Sequence, residues 1–310
     1  EPKYLIIGPP NAQPLILPRL RYRKNRKVRL EAMENIEPLG AAALYSIDYA
    51  REKLAGKSVV ALTGAGISTD SGIPDYRGQG RVARHPMTFD TFMGSQAAQI
   101  RYWARSYVGW SRIADAQPNG GHFALAAAER LGQLQQVITQ NVDALHQAAG
   151  SKNVIDLHGR LDSVRCMKCG APMTRVRMDE LLHELNPNIK KDANHEFTPD
   201  GDAELEAAAD FRIPACPTCS GVLKPDVVFF GESVPQSRVE NAMARLDEAD
   251  ALLVAGTSLT VNSGLRFARR AARAGKPIII VNIGETKADE LATAKIEANT
   301  SQVLERLFID

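Results

Sequence analysis

Only four cysteines occur in this chain, and they fall as two Cys-x-x-Cys pairs, Cys166-Met167-Lys168-Cys169 and Cys216-Pro217-Thr218-Cys219, each followed by a nearby glycine, Gly170 and Gly221. Two tight knuckles supplying two thiolates each are the arithmetic of a tetrahedral zinc site, and the glycines permit the turns. Four sulfur ligands fill the coordination shell, so the metal holds structure and leaves no position for water or substrate. The other reading, two disulfides, belongs to small secreted scaffolds, and a chain of 310 residues is not one. The pattern predicts a small zinc-stapled module on a larger body, with the chemistry elsewhere.

Length and charge fit that division. A chain this long with 44% hydrophobic residues can bury one large core plus a satellite module. The formal net charge of +2 is too small to imply a nucleic-acid or membrane partner. Its longest apolar stretches, such as Pro277 to Val281, are too short to span a bilayer, and a soluble chain is expected. Oligomeric state is open, and because the chain begins at Glu1 a removed targeting segment is open too. Alanine-rich helical stretches such as Ala124 to Ala128 favour a bacterial-type cytoplasm, with the mitochondrial matrix as the alternative. Residues 1–40 read as an arm: prolines punctuate Pro9 to Pro18, a basic run follows from Arg19 to Arg29, and no periodicity persists.

From Tyr45 onward, helical patterns alternate with short β-branched runs. Strands are expected at Ser58–Leu62, Gln135–Thr139, Val154–Leu157, Ala251–Ala255 and Pro277–Asn282, which predicts an α/β fold built on a parallel sheet. In such sheets the ligand lies beyond the carboxyl ends of the strands. The residues there are polar or glycine-rich: Thr63-Gly64-Ala65-Gly66-Ile67-Ser68, Gln140-Asn141-Val142-Asp143, His158-Gly159, Gly256-Thr257-Ser258 and Asn282-Ile283. Gly64-Ala65-Gly66 after a strand suits a nucleotide-binding turn, but Thr69 replaces the third glycine of the dinucleotide fingerprint, so a plain tight turn stays open.

The segment Ser68-Thr69-Asp70-Ser71-Gly72-Ile73-Pro74-Asp75-Tyr76-Arg77-Gly78 follows. Taken with Gln140 to Asp143, His158-Gly159, both cysteine pairs, Lys224-Pro225-Asp226-Val227-Val228-Phe229-Phe230-Gly231-Glu232 and Gly256-Thr257-Ser258-Leu259, it resembles the sirtuin family, with the motifs in family order over Tyr45 to Leu307. Leu185-Asn186-Pro187, Pro199-Asp200-Gly201-Asp202, Arg101 to Arg105 and Ser263 to Phe267 are similar to its class II branch.

The resemblance implies a discontinuous Rossmann-like domain over 41–160 and 222–310 and a small zinc-binding domain over 161–221. Between them, NAD as co-substrate would meet a protein carrying an acylated lysine, and one structural Zn2+ would be held by Cys166, Cys169, Cys216 and Cys219. Sirtuins send the acyl oxygen onto the nicotinamide ribose, release nicotinamide, and need a base to draw a proton from a ribose hydroxyl. His158 matches that base, and histidine suits the task near neutral pH. As a lone histidine it would read as a structural residue, and the other five histidines keep that reading.

By the same resemblance Asn141 orients the ribose and Asp143 accepts from the nicotinamide amide. Gln140 contacts ribose hydroxyls, while Gly64, Ala65, Gly66, Asp75, Tyr76 and Arg77 surround phosphate and reactive ribose. Gly256, Thr257 and Ser258 serve phosphate, and Asn282 and Ile283 serve adenosine. Val228 flanks the lysine tunnel, with Gly231 and Glu232 bordering a groove in which an extended peptide pairs with the backbone. Read as core, Val227 to Glu232 is a buried β segment.

Tyr102 and Arg105 lie three apart on an expected helix and so share a face. Such a pair is similar to the one with which desuccinylating sirtuins grip an acyl carboxylate, which implies a carboxyacyl preference; packing is the other reading. Two further functions stay open: a protein mono-ADP-ribosyltransferase using the same NAD site, and a non-catalytic NAD-sensing module.

Overall fold

A computed structural model describes residues 39–75, 86–189 and 210–309; the expected arm lies outside them except at its last two positions, 39 and 40. Along the chain come α1 (Ala41–Leu54), β1 (Val59–Thr63), α2 (Phe89–Gly94), α3 (Gln96–Asp115), α4 (Gly120–Arg130), β2 (Leu134–Thr139) and the single turn α5 (Leu145–Ala148). Then follow β3 (Val154–Asp156), β4 (Gly159–Cys166), β5 (Pro172–Thr174), α6 (Arg175–Leu185) and β6 (Leu223–Val227). The chain closes with α7 (Gln236–Glu248), β7 (Ala251–Ala255), α8 (Asn262–Arg273), β8 (Ile278–Val281), β9 (Ala294–Ile296) and α9 (Thr300–Phe308).

All five expected strands form, Ala251–Ala255 with the expected ends and the others with no end shifted by more than one residue. They join β9 in a six-stranded sheet of order β3-β2-β1-β7-β8-β9, parallel throughout. Every residue of β1, β7 and β8 is buried, as apolar runs must be when helices cover both faces. One face packs Ile47, Leu54, Leu125, Val303 and Leu304 from α1, α4 and α9; the other packs Leu246, Phe267 and Ala271 from α7 and α8. The chain builds outward from β1 through β2 and β3, then returns beside β1 as β7 and builds the other way. The order therefore reverses between β1 and β7, and a crevice opens beyond their carboxyl ends.

A second, antiparallel sheet of order β5-β4-β6 carries the cysteine pairs and reaches Gly159 and Val227, on both sides of residues 161–221. Gly159 begins it at φ +83°, where a Cβ would lie 1.9 Å from the Asp226 carbonyl oxygen, so a glycine is required for the two strands to meet directly after His158. This sheet shares a core with α2 and α3. Trp103 of α3 donates its indole N–H to the Leu223 carbonyl at 3.0 Å. Arg175, 1% exposed, stacks its guanidinium against Trp103 and Trp110 and donates to the Ser106 carbonyl at 3.0 Å. Past α6, the buried Asn186 side chain accepts from Arg212 N–H and donates to Arg212 C=O, both at 2.8 Å, and so clasps the two ends of the intervening span.

Candidate active site

The turns after β1 and β7 are packed backbone on backbone. Gly64 N–H donates to Ala255 C=O at 3.2 Å and Gly66 N–H to Gly256 C=O at 2.8 Å. A Cβ on Gly66 would stand 2.9 Å from the Gly256 Cα, so at this position the glycine is needed for close approach. Gln140 donates from its amide to Thr257 Oγ1 at 3.0 Å and to Thr63 C=O at 3.2 Å, joining the ends of β1, β2 and β7.

Beside this frame Asn141 donates to Gly64 C=O at 3.1 Å and to Ser68 Oγ at 3.0 Å, and Ser68 donates to Asp143 Oδ2 at 2.7 Å. Burial pushes the Asp143 carboxyl above its ordinary value, and the Leu145 N–H, 3.0 Å from Oδ1, and Ser68 pull it back. His158 has Nδ1 2.9 Å from the Gln140 carbonyl and Nε2 2.8 Å from Ser263 Oγ. A carbonyl only accepts, so Nδ1 bears the proton and Nε2 keeps its lone pair, accepting from the Ser263 hydroxyl. Burial lowers the His158 pKa, the Gln140 carbonyl raises it, and Arg238 and Arg266 lower it further; the ring is neutral near pH 7 and basic at Nε2.

These groups line a cavity of about 650 Å³. Gly64, Ala65, Gly66, Asp75, Gln140, Asn141, Asp143 and His158 lie on its wall, as do Gly256, Thr257, Ser258, Asn282, Ile283, Val228 and Tyr102. Tyr76 and Arg77 lie outside the described residues. Arg105 is half-buried and absent from the described wall. Near Tyr102 the wall turns apolar, with Ile73, Met87, Val142 and Phe229. A second cavity of about 600 Å³ is lined by Gly231 and Glu232 and shares His158, Val228, Phe229, Phe230 and Val261 with the first. His158 therefore stands where the two meet.

Several features differ from the sequence reading. Val227 to Glu232 is not one β segment: β6 ends at Val227, and Phe230 makes only an isolated bridge to Thr88. Ser68 and Ser263 were not singled out, because a serine near a turn or helix start also reads as a cap. What marks Ser263 is its place on the helix that follows Gly256-Thr257-Ser258.

The four cysteine sulfurs lie within 4.8 Å of one another, with Cys166 and Cys219 at 3.5 Å and Cys169 and Cys216 at 3.8 Å. A tetrahedron with Zn–S bonds of about 2.3 Å has edges of about 3.8 Å, so the donor set fits one zinc ion. Gly170 takes φ +73° in the first knuckle; in the second Ser220 takes φ +56°, and Gly221 leaves room where a Cβ would stand 2.9 Å from Cys166 Sγ.

A parallel sheet with a switch-point crevice, a glycine-tight turn pair and a histidine at a strand end define a dinucleotide-binding α/β protein, here with a zinc-stapled second sheet. The Sir2 family model matches residues 64–263. The chain is 57% identical over 247 residues to an NAD-dependent protein deacetylase of Xanthomonas campestris pv. campestris, covering 78% of this chain and 84% of the relative. It is 51% identical over 255 residues to NAD-dependent protein deacetylase 1 of Mycobacterium avium, covering 81% and 90%. A solved structure described as Sir2–p53 peptide–NAD+ superposes with TM-score 0.70 at 31% identity, covering 84% of this chain and 96% of that one. One described as Sir2 bound to acetylated peptide gives 0.69 at 30% identity, with the same coverage. The chain belongs to the Sir2 family.

Proposed function

We propose that the protein removes acyl groups from protein lysine in an NAD-dependent reaction, giving nicotinamide, O-acyl-ADP-ribose and free lysine. NAD supplies the electrophilic ribose carbon and its leaving group. The observation that carries the reading is His158: hydrogen-bonded at Nδ1 to the Gln140 carbonyl and unprotonated at Nε2, where it accepts from the Ser263 hydroxyl, it stands where the two cavities meet. Its neutral ring can accept a ribose proton at Nε2, with Ser263 holding that nitrogen's direction beforehand.

Asn141 and Asp143, fixed by Ser68 and the Leu145 N–H, present an amide and a carboxylate on the same wall. The tight turn Gly64 to Gly66, which lets a ligand approach the backbone, and the hydroxyls of Thr257 and Ser258 suit a pyrophosphate, and Asn282 suits the adenosine end. The 600 Å³ cavity is the entry for an extended peptide, with the acylated lysine passing Val228 and the acyl group meeting Tyr102, Met87 and Phe229.

The finer reading is a preference for succinyl, glutaryl or similar carboxyacyl groups over acetyl. Tyr102 on the cavity wall supports it, and α3 carries Arg105 three residues on from Tyr102. Among the described residues no helix is long and apolar enough to cross a membrane. The relatives named above are bacterial, and a bacterial-type cytoplasm is the proposed location.

Incubation with NAD and a panel of acyl-lysine peptides, followed by mass analysis, tests the reading. Loss of the acyl group with O-acyl-ADP-ribose formed is the expected result. A peptide gaining ADP-ribose would make the protein a mono-ADP-ribosyltransferase, and NAD binding without turnover would make it a sensor.

A further inference from the structure

We propose that Lys224 is a positioning residue, holding the segment Val227–Glu232 in the register that an acyl-lysine peptide requires, through Glu232 and Phe229; this rests on the deacylase reading above. Lys224 is 4% exposed, and lysine is almost never buried so deeply without a partner. It lies on β6, opposite Arg165 of β4, in the strand that leaves the second cysteine knuckle. Its ammonium points forward into the turn that follows the strand.

An ammonium has three donors, and here each has an acceptor: Val227 C=O at 2.5 Å, Glu232 Oε2 at 3.0 Å and Pro225 C=O at 3.3 Å. The charge also lies 4.7 Å from the Phe229 ring centroid and 5.9 Å from that of Phe89. Glu232 in turn accepts the Phe229 N–H at 2.9 Å and donates its own N–H to Phe229 C=O at 3.0 Å. Asp226 and Arg165, the other charges nearby, pair with each other at 3.4 Å, so Glu232 is the counter-ion. The segment is closed around one buried ion pair.

Outside that closure the segment is tied at two more points. Val228 N–H donates to His158 C=O at 2.7 Å, and Phe89 N–H donates to Phe230 C=O at 2.9 Å. Val228, Phe229 and Phe230 line both cavities, so a shift of this turn moves the acyl wall and the peptide edge together. Stability alone does not explain the pair, because desolvating two charges offsets most of what their attraction returns. Fixing three points of one turn with a single ammonium does explain it. Glu232 thus borders the groove with its carboxylate already committed.

The test compares Lys224→Met, Lys224→Arg and the double variant Lys224→Met/Glu232→Met. Readouts are anisotropy of a labelled acyl-lysine peptide, calorimetric NAD binding, and kcat and KM for each substrate. Lys224→Met should weaken peptide binding and raise peptide KM by roughly 10- to 100-fold, with NAD affinity within about twofold of the parent. Lys224→Arg should restore part of the peptide affinity. The double variant leaves no unpaired charge, and should keep the parent's melting temperature while still binding peptide weakly. If Lys224→Met fails to fold, the double variant decides. A folded double variant that binds peptide like the parent, or a parallel loss of NAD affinity, would overturn the role. Absence of turnover in the parent would instead remove the deacylase reading, while the peptide-binding comparison would still judge Lys224.

Discussion

Acidification should destabilise this fold through His146, and the size of the effect can be worked out. His146 is 1% exposed on α5, with Nε2 2.9 Å from Thr63 Oγ1 at the end of β1 and Nδ1 without a partner. Its ring centroid lies 4.8 Å from that of His122, tilted by 60°; His122 is also fully buried and its Nε2 is likewise unpartnered. Burial lowers the His146 pKa from 6.5 to about 4, and burial plus His146 itself holds His122 well below its ordinary value. The unfolded imidazole takes a proton as pH falls through about 6.5, while the folded one refuses it until about 4, so stability is full above that window and lost within it. Combining the two titrations gives a loss of about 2 kcal/mol for His146 alone between about pH 7 and about pH 5.

Urea unfolding of the parent and His146→Gln at about pH 7, 6 and 5 checks this, because glutamine can keep a partner for Thr63 but does not titrate. The free-energy gap between the two proteins should shift by about 2 kcal/mol toward the variant at the acid end. Carboxylates that titrate in the same range are common to both and cancel. A gap that stays constant across the series would refute the assignment of a neutral, buried His146.

Replacing His158 with Ala should slow deacylation by roughly 10²–10⁴ while NAD affinity by calorimetry stays near the parent's; turnover within about twofold would refute the base assignment. Cys166→Ser or Cys219→Ser should release zinc and lower the melting temperature, and purified parent without stoichiometric zinc by elemental analysis would refute the site. Gly66→Ala should raise the KM for NAD, since its Cβ would press on the Gly256 backbone at 2.9 Å; an unchanged KM would show that the turn yields freely. Arg105→Met should reduce a glutaryl-over-acetyl preference in kcat/KM by roughly tenfold or more, and an unchanged ratio would reject a carboxylate-binding role for Arg105.

The parallel sheet was legible because central strands buried on both faces must be continuous apolar runs, as Val59–Thr63 and Ile278–Val281 are. Ala294–Ile296 escaped because a three-residue edge strand, only partly buried, leaves no such run. The cysteine spacing gave the metal site outright, and the glycine pair at Gly64 and Gly66 marked the crevice without showing that Gly256 packs against it. Lys224 was illegible: a lysine in a strand reads as solvated until the fold closes Glu232 and Phe229 over it. The histidine pair was hidden for a similar reason, since the approach of His122 on α4 to His146 on α5 is a tertiary fact.

The Asn186–Arg212 clasp has a consequence for how such proteins diversify. With Asn186 and Arg212 pinned by one buried amide, Ile189 and Phe211 packed on the core, and β4 paired directly to β6, the knuckles are held by contacts outside the residues that join 189 to 211. Doubling a flexible connection costs only about 0.6 kcal/mol in closure entropy. Extra sequence can therefore accumulate between 189 and 211, or be grafted there by an engineer, at little cost in closure entropy. Lineages would be free to vary chain length at this point while the chemistry beside His158 stays constant.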